Sequence, residues 1–325
     1  MRSWCVPYLF ENMERIFASG QEPVEAVNRS LETLAQFLLS AANSGFGAVG
    51  GTRDNAHNAS SVPSVDIEEL TGEHYGRLFE AFSAASFWDE PARLLKLRLE
   101  RNGISISDLE DKQVLDAGCG GGRYTLAWRL LGAKKVIGLD VSVTGVFDAR
   151  RRADQAGIDG VIFQRGNVLQ LPFAENAFDI VFSNGVLHHT VDWKSGVAEL
   201  VRVLKPGGIG WIYLIEEPGG LFWDVIEILR VIVKNEQRGI ARTALQILGI
   251  SANRIFYMLD HVMVPINIRL TPDAIEKCFL AAGATHVRRL SRGTDFDRIE
   301  RIYQKDPFAT LKYGVGENRY VFLKA

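Results

Sequence analysis

The strongest constraint on the fold is a series of short apolar runs between positions 112 and 215. Segments long enough to form helices separate most of them, and the runs read KQVLDAG, KKVIGLD, GVIFQRG, FDIVFSN and GGIGWIYLI. Short apolar runs are typical of strands buried on both faces, and helices between them imply right-handed crossovers between parallel strands. The pattern therefore predicts an α/β protein with an open, doubly wound sheet, and it places functional residues at the carboxyl ends of the strands.

The part of the chain before this sheet divides by composition. Residues 1–42 are predicted to form a helical N-terminal extension, because apolar side chains recur at spacings of three and four: Val24, Val27, Leu31, Leu34 and Leu38. This stripe either docks on the rest of the same chain or forms a dimer. Residues 43–64 are rich in glycine, asparagine and serine. Such a composition cannot bury enough apolar surface to become ordered, so a flexible linker is predicted there.

Charge and cysteine content argue against several classes of protein. The 325-residue chain has a net charge of -2, so it lacks the general basic field that grips nucleic acid, and a nucleic-acid partner is disfavoured. Three cysteines far apart in sequence suit a reducing compartment: Cys5, Cys119 and Cys278. The longest apolar stretch, 221–233, is broken by charged residues, and the first residues make a poor secretory signal. A cytoplasmic protein without a transmembrane segment is therefore predicted.

A glycine-rich turn joins the first predicted strand to the following helix. The segment VLDAGCGGGRYT, at positions 114–125, contains a strand end at Asp116 and glycines at 118, 120, 121 and 122. Glycines allow close approach of backbone amides, and a helix N-terminus favours negative groups. The second strand ends in Asp140, about 20 residues on, where a carboxylate takes the ribose hydroxyls of a nucleoside. A nicotinamide-dependent oxidoreductase uses a similar loop, but Arg123 occupies the position of its third fingerprint glycine.

Four motifs in fixed order narrow the choice of family: VLDAGCGGGRYT, VIGLDVS, GNVLQLPFAENAFDIVFSNGVLHHTVD and LVRVLKPGGIGWIYL. From about Phe87 to Ile215 the chain resembles the class I S-adenosylmethionine (SAM) dependent methyltransferases, in the broad group that includes ubiquinone and menaquinone C-methyltransferases and small-molecule and sugar methyltransferases. The resemblance implies that residues 65–325 form the methyltransferase domain. It also implies a Rossmann-like, seven-stranded sheet with an antiparallel last strand, which the terminal RYVFLKA would supply.

The resemblance also implies a SAM site built from these residues: Asp116, Gly118, Cys119, Gly120, Arg123, Asp140, Val141, Asn167, Val168, Asn184 and Gly185. Asp116 and the amides around Gly118 and Gly120 would hold the methionine part of SAM. Arg123 would pair with the SAM carboxylate or solvate the helix start, and Asp140 would take the ribose hydroxyls.

At the other end of the implied site, Val141 would pack near the adenine. Asn167 and the amide of Val168 would meet the adenine edge. The commonest family pattern has aspartate where this chain has Asn167, which keeps a carbonyl acceptor without the charge. Asn184 and Gly185 would face the methyl-bearing sulfur.

Two adjacent histidines follow the fourth predicted strand at the same edge of the sheet. Methyl transfer from a sulfonium needs a general base only where the nucleophile must lose a proton, as a hydroxyl must. Because histidine titrates near neutrality, His189 is the predicted proton acceptor and His188 the second candidate. The alternative is that one of them only satisfies backbone groups. The other histidines lack metal-ligand spacing, so no metal is predicted: His57, His74, His261 and His286.

Residues 216–270 interrupt the strand pattern and are predicted to form a helical substrate lid. In LFWDVIEILRVIVK, at 221–234, the charges form one narrow row and leave a wide apolar surface. The rest of the domain, a second subunit, or an apolar substrate or membrane would cover this surface. A homo-oligomer through residues 1–42 or 216–270 is therefore one expectation. Trp223 in the insertion and Tyr75 before the first strand are the predicted lid residues.

The sequence thus predicts methyl transfer to a small-molecule acceptor. Histidine near the methyl group and the absence of metal spacing favour a hydroxyl oxygen of a saccharide or natural-product-like metabolite. C- or N-methylation of a quinone-like or other metabolite stays open, because fold and cofactor do not determine the substrate. A SAM-binding scaffold without catalysis, assembled through residues 1–42, is the alternative outside enzymes.

Overall fold

The structure is a computed structural model that describes residues 2–44, 87–105 and 109–325. The predicted linker at 43–64 lies outside these residues apart from its first two positions, and the predicted lid residue Tyr75 lies outside them as well. Both therefore stay predictions, as does the boundary of the domain at residue 65.

A seven-stranded sheet lies at the centre of the described chain. Its strands are β1 (Gln113–Ala117), β2 (Lys135–Asp140), β3 (Val161–Arg165), β4 (Phe178–Asn184), β5 (Leu204–Leu214), β6 (Ala284–Arg289) and β7 (Asn318–Lys324). They are ordered β3-β2-β1-β4-β5-β7-β6. The first five are parallel to one another, whereas β7 is antiparallel to both β5 and β6. The predicted sheet and its antiparallel last strand are confirmed.

Helices cover both faces of the sheet. In chain order they are α1 (Cys5–Ala18), α2 (Val24–Asn43), α3 (Asp89–Arg101), α4 (Arg123–Leu130), α5 (Val143–Gln155), α6 (Trp193–Val203), α7 (Gly220–Val233), α8 (Arg238–Ile247), α9 (Ala252–Met263), α10 (Pro272–Ala281), α11 (Arg298–Tyr303) and α12 (Ala309–Tyr313). Local sequence sets several of their starts. Ser142, Asp192 and Thr271 each accept a hydrogen bond from a backbone amide three residues on, as N-cap residues do.

The two faces of the sheet carry separate apolar clusters. Along β4, Val181 packs in the cluster beneath α6 and α10, whereas Ile180 and Phe182 pack in the cluster beneath α3 and α4. Successive side chains of a strand point to opposite faces, so a strand buried on both sides reads as a continuous apolar run. For this reason the strands could be predicted from the sequence.

Strand order reverses between β1 and β4, and this reversal positions the site. Asp116 on β1 lies beside Gly138 on β2 and beside Phe182 on β4. The chain runs from β1 outward to β2 and β3 and then returns to β4 and β5 on the other side. In open α/β sheets the crevice at such a reversal, beyond the carboxyl ends of the strands, is the ligand-binding place.

The wide apolar face of α7 is covered by the same chain. Helices α1, α2, α7, α8 and α9 share one cluster, in which Phe10 and Trp223 are fully buried. An ion pair between Glu14 and Arg254 connects α1 to α9 on the surface. The sequence left open whether the rest of the chain, a second subunit, or an apolar substrate or membrane covers this face. In the structure the rest of the chain packs against it. The homo-oligomer through residues 1–42 or 216–270 stays a prediction.

Two searches of the described residues bear on membranes and metals. No helix in residues 2–44, 87–105 or 109–325 is long and apolar enough to cross a membrane. Within the same ranges, no group of three or more histidine, cysteine, aspartate or glutamate side chains is arranged to hold a metal ion. The cytoplasmic location and the absence of a metal cofactor stay predictions.

Candidate active site

A cavity of about 320 Å³ lies at the carboxyl ends of β1, β2, β4 and β5, with α7 and α9 on its other side. Every residue of the SAM site implied by the resemblance lines it, together with His188, His189 and Trp223. Sequence analysis did not place the following residues there: Tyr124, Gly166, Val186, Thr190, Tyr213, Ile215, Phe256, Asp260 and His261.

The glycine turn after β1 shapes the cavity by close backbone approach. Gly118 has a φ of +83°, and a Cβ at this position would lie 2.4 Å from the Val186 side chain. Its amide donates to the Leu139 carbonyl at 2.7 Å, and the amide of Gly120 donates to Asp140 Oδ2 at 2.7 Å. In this structure both amides are engaged within the chain. The contribution of these glycines is therefore space rather than a pair of free donors.

Asp116 is a buried carboxyl group at the centre of this loop. Thr125 Oγ1 donates to its Oδ2 at 2.7 Å. Burial raises the pKa of Asp116 to about 7, the hydrogen bond from Thr125 opposes the shift, and the charge of Asp140 adds to it. A cation beside a carboxyl group favours its ionised form. The position therefore suits a positively charged part of a ligand.

Asp140 closes β2 and connects two loops. Its Oδ1 accepts the amide of Ser142 at 2.8 Å, and its Oδ2 accepts the amide of Gly120. Arg123, at the start of α4, donates from Nε to the Phe87 carbonyl at 3.2 Å and lies 3.5 Å from Glu90. Its guanidinium thus contacts α3 while it lines the cavity.

The remaining residues of the implied SAM site are small, are apolar or carry a side-chain amide. Asn167 Oδ1 accepts the amide of Leu169 at 2.8 Å, so its side chain is oriented by its own turn. Cys119 is buried, and burial raises the pKa of its thiol well above the usual value. A neutral buried thiol is a poor nucleophile, which supports its interpretation as a small turn residue. Gly185 has a φ of +81° and lies against the Tyr213 ring.

His188 and His189 lie in a short 3-10 turn after β4, with ring centroids 4.0 Å apart. His189 Nδ1 is 2.7 Å from the Ile266 carbonyl oxygen. Because a carbonyl only accepts, this Nδ1 carries a proton, and Nε2 of the neutral ring is an acceptor. His188 Nδ1 instead accepts the amide of Ile215 at 3.3 Å. The neutral His188 ring therefore carries its proton on Nε2.

Burial keeps both rings uncharged. The pKa of His189 is lowered to about 4. Burial is the largest cause, the hydrogen bond with the Ile266 carbonyl opposes it, and the charge of Arg230 acts in the same direction as burial. Burial also lowers the pKa of His188 well below its usual range, with the neighbouring His189 and His261 adding to the effect. Each ring also satisfies a backbone group, which was the alternative role considered from the sequence.

The far wall of the cavity is contributed by the insertion. Trp223 of α7 is fully buried, and its Nε1 donates to Glu216 Oε1 at 2.8 Å. Phe256, Asp260 and His261 come from α9. The spacing of Phe256 and Asp260 marks them as one helix face. Nothing in the sequence indicated that this face meets the cavity, because that depends on how α9 packs against α7.

The fold and the cavity agree with what the resemblance to class I SAM-dependent methyltransferases implies. Residues 115–212 match the family described as "Methyltransferase domain". This segment runs from β1 to β5 and includes Asp116, Asp140 and the histidine pair. This match covers less than a third of the chain, so the chain is similar to the family over this segment, and the similarity supports SAM as the cofactor.

Two curated relatives illustrate the similarity. The 27-O-demethylrifamycin SV methyltransferase of Amycolatopsis mediterranei is 27% identical over 175 residues, which cover 51% of this chain and 61% of that protein. The malonyl-[acyl-carrier protein] O-methyltransferase of Yersinia pestis is 35% identical over 151 residues, which cover 46% of this chain and 51% of that protein. This chain therefore spans about half to three-fifths of the length of these relatives.

A solved structure extends the similarity to the fold of most of the chain. The [4+2]-cyclase SpnF superposes with a TM-score of 0.50 at 19% identity, covering 82% of this chain and 98% of that one. At this level of identity the likeness concerns the fold alone. The same fold hosts different reactions, so the reaction must be argued from the site.

Proposed function

We propose that this protein is a SAM-dependent O-methyltransferase that acts on an uncharged, largely apolar small molecule with a hydroxyl group. The observation that carries the proposal is the composition of the cavity. Two carboxyl groups at adjacent strand ends line one side together with Arg123, and imidazoles, aromatic rings and the single carboxyl group of Asp260 line the other. The first side suits a positively charged nucleoside, and the second suits a hydroxylated apolar acceptor.

The cofactor side supports this proposal residue by residue. Asp116 would hold the ammonium group of the methionine part of SAM, Arg123 its carboxylate, and Asp140 the ribose hydroxyls. Val141 and Val168 supply apolar surface for the adenine. SAM supplies a methyl group on a sulfonium, which a nucleophile displaces in line. The task of these residues is to orient that group and to exclude water.

On the acceptor side, His189 is the proposed proton acceptor. Its Nδ1–H is oriented by the Ile266 carbonyl, so in the neutral ring Nε2 is the nitrogen that carries the lone pair. The low pKa keeps the ring neutral at neutral pH, so Nε2 can accept a hydrogen bond from a hydroxyl group, although it makes the ring a weaker base than free histidine. Proton transfer to a positioned side chain contributes about 10²–10⁴-fold to such reactions.

The relatives support oxygen as the accepting atom. One is named a malonyl-[acyl-carrier protein] O-methyltransferase, and another is named a 27-O-demethylrifamycin SV methyltransferase, after a molecule that lacks an O-methyl group. A third is a phthiotriol/phenolphthiotriol dimycocerosates methyltransferase of Mycobacterium tuberculosis, 36% identical over 121 residues. These proteins are named for different molecules. They therefore support an oxygen atom of a hydroxyl or acidic group as the methyl acceptor, and they leave the acceptor molecule open.

The test separates cofactor binding from proton transfer. Calorimetry measures SAM binding to the full chain, and transfer of a labelled methyl group is then measured across a library of hydroxylated acceptors. His189→Asn keeps an N–H near the Ile266 carbonyl but removes Nε2, so turnover should fall by about 10²-fold or more while SAM binding persists.

The matched control is His286→Asn, on the exposed edge strand β6. His286 has a φ of +49°, which asparagine tolerates, and turnover should not change. Unchanged turnover in His189→Asn would remove the general base from the proposal. SAM binding without methyl transfer to any acceptor would instead favour a non-catalytic scaffold.

A further inference from the structure

The carboxyl ends of β4 and β5 bring two polar side chains together in the cavity. Asn184 of β4 and Tyr213 of β5 both line it, and they are Cα partners in the parallel pairing of the two strands. The amide of Gly185 donates to the Tyr213 carbonyl at 3.2 Å, so the two strands stay paired to their ends. The sheet, and no local motif, makes these two residues neighbours.

The side chains of Asn184 and Tyr213 project from the same face of the sheet. Successive residues of a strand alternate between the faces, so paired residues of adjacent strands share one. The pair two positions earlier shows this directly, because the rings of Phe182 and Trp211 stack with centroids 6.0 Å apart. Asn184 and Tyr213 continue that row beyond the packed core, at the edge of the sheet where the cavity lies.

The ring of Tyr213 is held in place by its surroundings. The guanidinium of Arg319 lies 4.7 Å from its centroid, and the His188 ring lies 5.8 Å away. A Cβ at Gly185 would be 3.6 Å from its Cδ1. Burial raises the pKa of Tyr213 above its usual range, and the charge of Glu216 adds to the shift. The phenol therefore keeps its proton at neutral pH and can donate a hydrogen bond.

The polar ends of Asn184 and Tyr213 are accessible from the cavity. Within residues 2–44, 87–105 and 109–325, neither the Asn184 amide nor the Tyr213 hydroxyl forms a hydrogen bond with another side chain or with the backbone. In the same ranges neither group belongs to the unpaired polar atoms that are sealed from water. Thr190, on the same wall, instead donates to the Leu187 carbonyl at 2.7 Å. The cavity that Asn184 and Tyr213 line is therefore where a ligand reaches them.

The other polar groups on this side of the cavity are less available. His189 and Asp260 each have an interaction partner already, and His188 is only 2% exposed. When ionised, the carboxyl group of Asp260 accepts hydrogen bonds and cannot donate one to a lone pair. Tyr213, with Asn184 beside it, thus supplies the accessible donors of this wall.

We propose that Asn184 and Tyr213 form a subsite for an oxygen atom of the methyl acceptor, to which Tyr213 Oη–H donates a hydrogen bond. This inference rests on the proposed function and deepens it, because Tyr213 selects acceptors with an oxygen lone pair at this place. A site built to hydrogen-bond a polar group rejects the analogue that lacks it. The Asn184 amide offers a second donor to the same oxygen. The subsite does not depend on which group takes the acceptor proton.

The experiment uses the full chain saturated with S-adenosylhomocysteine. Acetophenone is the probe, and α-methylstyrene is its matched control, because a methylene group replaces the carbonyl oxygen in a molecule of the same shape. Ligand-observed NMR titrations measure both affinities in the unaltered protein and in Tyr213→Phe. In Tyr213→Phe the affinity for acetophenone should fall about three- to tenfold, the usual effect of one hydrogen bond. The affinity for α-methylstyrene should stay the same.

Two further variants serve as controls. Tyr257→Phe removes the same hydroxyl from a residue of α9 that is not among those lining the cavity, so both affinities should be unchanged. Asp260→Asn neutralises the carboxyl group of the same wall, and it should change the two affinities by the same factor. Denaturant unfolding of Tyr213→Phe should have the midpoint of the unaltered protein, because the hydroxyl has no partner to lose in the described part of the chain.

The outcomes that overturn this inference differ from those that overturn the proposed function. Equal changes for the two probes in Tyr213→Phe, or a loss specific to acetophenone in Asp260→Asn, overturn the subsite. A lowered unfolding midpoint of Tyr213→Phe with no selective loss assigns the hydroxyl a structural role and overturns it too. So does the absence of acetophenone binding to protein that holds S-adenosylhomocysteine. Failure of S-adenosylhomocysteine itself to bind, measured by calorimetry on the same sample, overturns the proposed function.

Discussion

Both sides of the cavity contain buried titratable groups, and burial shifts the pKa values of those groups in opposite directions on the two sides. On the cofactor side, burial raises the pKa of Asp116 to about 7, which favours the protonated form of this acid. On the acceptor side, burial lowers the pKa of His189 to about 4 and of His261 to about 3, so the bases remain without one. Desolvation disfavours the charged form of either group.

Because of this contrast, we expect the two sides of the cavity to respond differently when ligands bind. Under the proposed function, a cation such as SAM beside Asp116 would favour the ionised form of its carboxyl group, so the proton would be released. An uncharged acceptor leaves the imidazoles neutral and able to accept hydrogen bonds. One physical cause, burial, therefore shifts the pKa values of acids and bases in opposite directions, as the proposed function requires of the two sides.

The sides also differ in how they are supported. The cofactor side consists of turns that directly follow strands of the sheet. The acceptor side rests on a buried pair, in which Arg298 lies 2.9 Å from Glu216 Oε1 and Glu216 also accepts from Trp223. The charges of this pair are nearly inaccessible to water, with side-chain exposures of 10% and 0%.

The largest expected effect comes from removing that support. Glu216→Ala leaves Arg298 with only the more distant Glu317, 3.8 Å away. Breaking a buried pair costs about 3–5 kcal/mol, and we expect about 3 kcal/mol less free energy of unfolding because Glu317 remains. Denaturant unfolding measures it.

The adjacent Glu217→Ala is the control for Glu216→Ala. Glu217 pairs with Arg269 on the surface, with 39% of its side chain exposed, so its loss should cost only about 0–1 kcal/mol. Equal costs for the two variants would show that the buried pair is not what supports the acceptor side.

A second, smaller effect should appear on the cofactor side. In Gly118→Ala the new Cβ would lie 2.4 Å from the Val186 side chain. Overpacking costs about 1–3 kcal/mol, so SAM affinity should weaken by about tenfold or more. Calorimetry with SAM measures the change.

Gly157→Ala is the control, because it introduces backbone strain at a positive φ without a steric overlap such as that between position 118 and Val186. Gly157 has a φ of +64°, and a Cβ there would meet nothing within 4 Å. Its SAM affinity should equal that of the unaltered protein. A similar loss of affinity in both variants would mean that the overlap with Val186 does not matter.

A pH dependence of opposite sign is expected on the two sides. The folded protein holds the Asp116 proton up to about pH 7, whereas the unfolded chain releases it near pH 4. Stability from this group therefore falls as pH rises from about 4 to 7. For His189 the folded pKa is about 4 against 6.5, so stability is lost as pH falls through that window.

Ligand binding provides the cleaner measurement of this difference. If binding removes the Asp116 proton, the affinity for S-adenosylhomocysteine should increase as the pH is raised towards 7, by up to about tenfold per pH unit. Titrations between pH 6 and 7.5 test this, and proton release is read from buffers of different ionisation enthalpy. Asp116→Asn should flatten the dependence. A flat profile in the unaltered protein would contradict the proposed contact with the ligand ammonium.

The cofactor side was predictable because its residues follow strands that the sequence makes visible. Each of β1, β2 and β4 is a buried apolar run, and the predicted residues Asp116, Asp140 and Asn184 are strand ends. The carboxyl ends of parallel strands meet at one edge. What sequence analysis missed on this side is local detail, such as the engagement of the Gly118 and Gly120 amides within the chain.

The sequence by itself determined the α/β sheet, the glycine turn and the residues that line the cofactor side, because these depend on periodicity and on neighbours along the chain. The tertiary structure decided the acceptor side. It brought His261 to the histidine pair and covered α7 with α1, and it selected the tautomers through carbonyl groups distant in sequence. The shifted pKa values belong to this second group, because burial is a property of the packed molecule and of no single segment.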